Sequence, residues 1–379
     1  MRGQIRKRGD SWAVIVSLGR DPLSGKYRKK WHTVYGTKKE AERELARLLH
    51  QVHSGEYVEP AKTTVREFLE RCLRDCIRPA ASASTYTTYE IVMRRYLVPS
   101  LGNISLSRLQ PAVIQTTLRG LLEKGRANGR GGLSPATVLK AYALLHRACE
   151  QAVKWGILAR NPCQAVNPPR LVRQEPQVWD EEQTRLFLGE ARRSGHYPVY
   201  LAAITTGMRQ SEILGLRWRD VDFVMGFASV SQICYRGTFK EPKTAKSRRS
   251  IALPKILLHR LQDVREMQTE HRRRLGQEYE DNGLVFAQEN GKPLCVRNLI
   301  RRDFEPLMKR AGVPRIRFHD LRHLHATFLL RAGIHPKVVS ERLGHSRVGV
   351  TLDIYSHVVP GLQEQAAHRV DALLGDLDR

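Results

Sequence analysis

Residues 319–327 read HDLRHLHAT and residues 342–358 read RLGHSRVGVTLDIYSHV; these two stretches decide how the chain is to be understood. In the first, His319 and Arg322 stand three apart, a spacing that projects both from one helical face with His323 close beside them. In the second, Gly344 closes a short helix that Pro336 opens, so His345 is carried by a turn on a rigid element. Ten residues on, Tyr355 falls on another short helical stretch. Upstream, residues 205–218 read TTGMRQSEILGLRW. There Arg209 follows Gly207 at a helix start, where backbone donors favour anions. Glu212 lies one turn later on the same face, placed to orient an arginine or another basic partner through a buried pair.

Each piece alone has an ordinary reading: a surface ion pair at Arg209, a turn histidine at 345, one packing tyrosine among 12. The ordered set points to one chemistry. Attack at the phosphorus of a phosphodiester concentrates negative charge on the non-bridging oxygens, so a metal-free site needs fixed cations with fork geometry. Arg209 and Arg322 meet that need, and His319 projects with Arg322. A phenol of pKa about 10 is a poor nucleophile at neutral pH, so Tyr355 depends on those cations to stabilise its oxyanion. Lys243, in the stretch PKTAKSRR, sits on an expected hairpin turn from which its ammonium can protonate the departing 5′-oxygen. Lys246 is the near alternative. His323 reads as a structural histidine bonding backbone. A zinc cluster of His319, His323 and His325 is the sharper rival, but His325 is off the face of His319 and the glutamate of an HExxH site is absent.

Composition agrees with a polyanionic partner. The chain has 379 residues, and 64 lysines and arginines against 38 aspartates and glutamates leave a formal charge of +26. Nucleic acid is the leading partner class. No apolar run approaches the roughly 18 residues of a spanning helix, and the opening MRGQIRKRGD lacks a signal-peptide core, so no membrane partner is expected. Cys72, Cys76, Cys149, Cys163, Cys234 and Cys295 show no disulfide spacing, which suits a reducing, intracellular setting.

Three textures succeed one another. Residues 1–60 alternate at Ile5, Trp12, Val14 and Val16, turn at DPLSGK, and resume in RKKWHTVY, followed by an amphipathic helix carrying Ala41, Leu45, Leu48 and Leu49 with Thr37 as N-cap. This predicts a three-stranded sheet backed by one helix. Arg6, Lys7, Arg8, Arg28, Lys29 and Lys30, with Trp12 and Trp31 among them, are its candidate DNA contacts, since a sheet can enter a major groove. Residues 64–167 are helical, four to five helices with Thr64, Ser84 and Ser134 as caps and a basic loop at KGRANGRGGLS. A Pro-rich linker covers 168–178. Residues 179–379 mix helices, the first capped by Asp180, with two or three strands over 228–253. The fold class is therefore multidomain α+β: a sheet-plus-helix domain, an all-α domain, and a mainly α domain with a small antiparallel sheet.

The boxes TTGMRQSEILGLRW, PKTAKSRRSIALP, HDLRHLHATFLL and ERLGHSRVGVTLDIYSHV, in this order, resemble the tyrosine recombinases of the phage integrase family over nearly the full chain. Leu324 departs from the Thr or Ser usual after the HxxRH box and reads as a packing variation. The resemblance implies that Arg209, Lys243, His319, Arg322 and His345 assemble around the scissile phosphate, that Glu212 supports them, and that Tyr355 attacks. It implies an arm-type DNA-binding domain at 1–60, a helical core-binding domain at 64–167 and a catalytic domain at 179–379. It further implies a 3′-phosphotyrosyl intermediate, a Holliday junction, no cofactor or metal, and a homotetramer on double-stranded DNA with core and arm sites. Accessory bending and directionality proteins, and a bacterial cytoplasmic setting, belong to the same expectation. The amphipathic stretch GLQEQAAHRVDALLGDL would dock on a neighbouring subunit or on its own domain. Two other classes remain beside it: a type IB topoisomerase, and a DNA-binding regulator without catalysis.

Overall fold

The computed structural model describes residues 3–20, 25, 27–53, 63–126, 129, 131–171, 177–242, 248–345, 347–355, 367–368, 370–372 and 374. The chain divides into two compact units, Met1–Arg173 and Gln174–Arg379.

In the first unit, strands β1 (Gly3–Arg8), β2 (Ser11–Arg20) and β3 (Tyr27–Tyr35) form an antiparallel sheet in that order. Strand alternation places Ile5, Trp12, Val14, Val16 and Val34 on one face, against Ala41, Leu45 and Leu48 of α1 (Lys38–His53). The expected N-cap forms, the Glu40 amide donating to Thr37 Oγ1 at 3.4 Å and the Thr37 amide in return to the Glu40 carboxylate at 2.6 Å. A separate core is built by the helical run that follows, α2 (Val65–Cys72), α3 (Ala83–Val92), α4 (Val98–Leu101), α5 (Pro111–Lys124) and α6 (Pro135–Lys154). Thr64 makes a full capping box with Glu67, and Ser134 caps α6 ahead of Pro135. The cap of α3 is Ser82 rather than Ser84, because only the hydroxyl at 82 stands three residues before the Thr85 amide that it accepts from.

The second unit begins with α7 (Glu181–Ala191), capped by Asp180 as expected, then α8 (Tyr197–Thr206) and the single-turn α9 (Gln210–Ile213). Strands β4 (Val221–Asp222), β5 (Phe227–Ser229) and β8 (Ser250–Ala252) make one sheet, and β6 (Ile233–Tyr235) with β7 (Thr238–Lys240) another. Residues 227–252 thus hold four strands, not two or three. The run 233–239, ICYRGTF, folds back on itself because Arg236 (φ 52°) and Gly237 (φ 76°) both take the left-handed region of a two-residue hairpin turn. Helices α10 (Lys255–Leu275), α11 (Val296–Asn298), α12 (Glu305–Arg310), α13 (Asp320–Arg331), α14 (Pro336–Leu343) and α15 (Val348–Tyr355) complete the unit. The C-terminal stretch proposed for docking lies largely outside the described residues.

The largest core gathers Trp179, Phe187, Tyr200, Phe304 and Phe318, with ring centroids 4.7–6.3 Å apart. Leu324 is fully buried in it, which makes the departure at this position a matter of packing. A small second core of Ala326, Leu330, Val339 and Leu343 clamps α14 onto α13. Since Phe304 is fully buried among rings, Phe304→Ala should cost about 3–5 kcal/mol in urea denaturation. Ile256→Ala, at a side chain 55% exposed, should stay within about 0.5 kcal/mol.

Candidate active site

Helix α8 ends at Gly207, and the chain turns through Met208 into Arg209, the residue that caps α9. Glu212, one turn on, receives the Arg209 backbone amide at 2.9 Å and the Arg209 Nη1 at 2.7 Å. Its carboxylate is 2% exposed, and a second guanidinium, Arg249, donates to it at 2.9 and 3.3 Å. Burial works to raise the Glu212 pKa, but the Arg249 and Arg209 hydrogen bonds and charges prevail and hold it below the usual carboxylate range.

Arg322 comes from the first turn of α13 and is itself buried. It donates to Gly207 O at 2.8 Å and to Leu343 O at 2.6 Å, while Arg209 Nη2 reaches Gly344 O at 3.2 Å. Both predicted arginines therefore meet at the end of α14. Asp320, locked to the Arg317 backbone and side chain, fixes the turn that presents His319 at the N-cap position of α13. His319 keeps an exposed side; crowding around its ring, and next the charge of Arg322, lower its pKa.

His345 follows Gly344, whose φ of 66° closes α14 in the left-handed region. A side chain at 344 would be strained there and would meet Arg249 Nη1 at 3.0 Å. The His345 Nδ1 is hydrogen-bonded to Oγ1 of Thr351 at 2.8 Å, and Thr351 is fully buried. That bond ties the histidine to α15, the helix that ends in Tyr355. It also leaves Nε2 as the nitrogen through which His345 would meet a ligand. Burial first, then Arg322 and Arg209, push the His345 pKa down to about 4.

Arg209, Glu212, His319, Arg322 and His345 are thus brought into one electrostatic neighbourhood. Lys243 and Lys246 lie outside the described residues, as does the side chain of Tyr355, although its backbone ends α15. His325 is a backbone-bonding histidine: its Nδ1 donates to Ile204 O at 2.8 Å and its Nε2 accepts from Arg342 at 3.0 Å. His323 packs edge-on to His319 with centroids 5.3 Å apart. With both nitrogens of His325 engaged elsewhere, the three histidines do not form a ligand set. Among the described residues no group of three metal-ligating side chains occurs.

Of the basic residues singled out in the N-terminal sheet, Arg6, Arg8 and Lys29 alternate to the face opposite α1, beside Trp31. Lys7, also exposed, and the half-buried Lys30 alternate to the α1 side, which sets them apart from that face. Trp12 is a core residue, its Nε1 donating to Gly36 O at 3.1 Å, whereas Trp31 is 55% exposed. Sequence reading passed over Arg249, Arg342 and Thr351. The one available signal was the pair Arg248–Arg249 entering a strand: alternation sends one outward and one inward, and Arg248 is 58% exposed against 8% for Arg249.

The Phage integrase family matches residues 180–360, an Arm DNA-binding domain 4–52, and the Phage integrase N-terminal SAM-like domain 64–122. A tyrosine recombinase XerC-like protein of Caldanaerobacter subterraneus is 28% identical over 97% of this chain and 98% of its own length. The ICEBs1 integrase of Bacillus subtilis is 27% identical over 96% of this chain and 97% of its own. Among solved structures, the Tn1549 transposon integrase in complex with a circular intermediate DNA superposes with TM-score 0.69 over 81% of this chain and 99% of that one, at 23% identity. A lambda integrase tetramer bound to a Holliday junction gives 0.56 over 92% and 96%, at 18% identity. These superpositions show a shared fold.

A histidine whose folded pKa is depressed stabilises the fold above its ordinary value of 6.5 and loses that contribution as pH falls toward the folded value. NMR titration of the free protein should therefore place the His345 midpoint near 4, with Arg322→Gln raising it. The thermal midpoint should fall as pH drops from 6.5 to about 4, and fall less in His345→Asn.

Proposed function

We propose that this chain, which belongs to the phage integrase family of tyrosine recombinases, cuts and rejoins double-stranded DNA with Tyr355 as its nucleophile. It is an enzyme, a site-specific DNA recombinase. The two relatives described above are named a tyrosine recombinase and an integrase, which favours this reading over a topoisomerase or an idle regulator.

The observation that carries the mechanism is the convergence of two guanidiniums and a neutral imidazole on the end of α14, one helix away from the backbone of Tyr355. Arg209 and Arg322 would hold the non-bridging oxygens and stabilise the charge that grows on them. The phenolate oxygen of Tyr355 attacks phosphorus, the bond to the 5′-oxygen breaks, and a 3′-phosphotyrosyl bond forms. Lys243 gives the leaving 5′-oxygen its proton. His319 and His345, neutral in the free site, act as hydrogen-bond donors to the phosphate or take the phenol's proton. Because the covalent link retains the bond energy, the released 5′-hydroxyl of one duplex can attack the phosphotyrosine of the other with no nucleotide or metal consumed. Glu212 keeps Arg209 in place.

Residues 1–60 form the arm-type domain, 64–167 the core-binding domain, 168–178 the linker and 179–379 the catalytic domain. Arg6, Arg8 and Lys29, on the face of the sheet opposite α1 with Trp31, are the contacts to arm DNA, while Lys7 and Lys30 on the α1 side stand apart from that surface. Four copies act on two DNA sites in the bacterial cytoplasm to integrate and excise a mobile element, with bending and directionality proteins assisting. The lambda integrase tetramer on a Holliday junction and the Tn1549 complex with a circular intermediate support that assembly by analogy.

Incubated in EDTA with nicked duplexes drawn from the DNA flanking its coding sequence, the wild-type chain should become covalently linked to a 3′ end. Tyr355→Phe should trap none, and a trapped adduct in that variant would reject the nucleophile. Reversing two sheet charges, Arg6→Glu with Lys29→Glu, should spare core-site cleavage while lowering the salt slope of arm-site binding by about 2. An unchanged slope in a filter-binding titration would remove the sheet from the interface.

A further inference from the structure

The last carbonyls of an α-helix have no partner within it, and together they form its negative end. At the end of α14 three successive carbonyls each accept from a different arginine. Arg342 O receives Arg249 Nε at 2.7 Å, Leu343 O receives Arg322 Nη2 at 2.6 Å, and Gly344 O receives Arg209 Nη2 at 3.2 Å. Two of these arginines are the ones assigned above to the phosphate. The third is not. Arg249 is 8% exposed, and its other two nitrogens point at the two oxygens of Glu212.

We propose that Arg249 is a positioning residue for strand cleavage: it holds Glu212, and through it Arg209, and it anchors the carbonyl row that presents His345. This rests on the recombinase reading of the preceding subsection. The geometry separates Arg249 from a residue that merely fills space. Glu212 divides its carboxylate between two guanidiniums; without Arg249, Arg209 can close onto both oxygens and turn its fork away from Gly344 O and the phosphate. The contact between α14 and β8 is also reciprocal, because Arg342, whose carbonyl accepts from Arg249, donates its own Nη2 to Ala252 O at 2.9 Å. Gly344 lies directly against the Arg249 side chain, so the turn that carries His345 is shaped around it. A lysine would keep the charge beside Glu212 but lacks the fork needed to serve the carboxylate and Arg342 O together.

The test uses full-length Arg249→Met and Arg249→Lys with the nicked duplexes described above, measuring single-turnover adduct formation, DNA affinity by gel shift, and thermal melting. Arg249→Met should cleave about 100-fold more slowly, the scale of loss expected when a reacting group is displaced by about 1 Å, with affinity within about twofold of wild type. Arg249→Lys should recover part of the rate and remain about tenfold slow. Arg249→Met combined with Glu212→Gln should be no slower than the slower single variant, as for residues acting as one unit. A wild-type rate in either single variant would overturn the proposal. So would a loss of affinity matching the loss of rate, which would make Arg249 a DNA contact, or a lysine variant no faster than methionine. Where Arg249→Met fails to melt cooperatively, the lysine variant decides. Failure of the wild-type chain to form any adduct would instead fall on the recombinase reading.

Discussion

A buried carboxylate sets the terms for the catalytic unit. An ionised group at 2% exposure, as Glu212 is, costs several kcal/mol unless its charge is paired and its lone pairs are filled. Glu212 is satisfied from two directions, by Arg209 three residues before it and by Arg249 thirty-seven residues after it. Two positive groups around one negative group leave one unit of positive charge over, fixed in direction by hydrogen bonds. That surplus is what an anionic substrate would meet. The pair does more than neutralise a cost, because the carboxylate fixes which nitrogens of Arg209 remain for other partners.

The second constraint is that every element around this carboxylate is short. Helix α9 has 4 residues and α14 has 8, so helix ends rather than helix middles line the site. Ends expose unpaired backbone groups, and here the unpaired carbonyls of α14 are met by guanidiniums from the α8–α9 turn, from α13 and from the residue just before β8. A carbonyl that accepts from a guanidinium leaves its charge intact, so a helix end can aim cations without neutralising them. The small core of Ala326, Leu330, Val339 and Leu343 then has a clear purpose: it fixes α14 against α13 so that the carbonyl row stays where the arginines need it.

What could be read from the sequence follows from distance along the chain. Arg209 with Glu212, and His319 with Arg322, are three apart, so helical periodicity alone predicts that they project together. Gly344 announced its turn because few residues other than glycine tolerate its backbone. Arg249 was passed over because its partners are 37 and 93 residues away, and no local pattern encodes them. The hairpin within ICYRGTF was hidden for a different reason: β-branched and aromatic residues flank the turn on both sides, and Arg236 gives no hint that it adopts a positive φ. In the N-terminal sheet the basic residues were found but not sorted. Sorting them required the strand register, which decides that Arg6 and Lys29 share a face and that Lys7 and Lys30 lie on the other.

The histidines show how the site's charge and its chemistry are linked. In the free protein burial first, and neighbouring charges next, hold His319, His323 and His345 below their ordinary pKa. A phosphate between Arg209 and Arg322 would offset the part of that lowering that the two guanidiniums cause. Their proton affinity would then rise as the substrate binds, toward the range in which an imidazole can both accept and return a proton. On this account the substrate prepares the acid–base groups that act on it. The arginines have a double role: they repel protons from an empty site and stabilise the charge of a filled one. Such a device needs the guanidiniums fixed before DNA arrives, which returns the requirement to the carboxylate that fixes them.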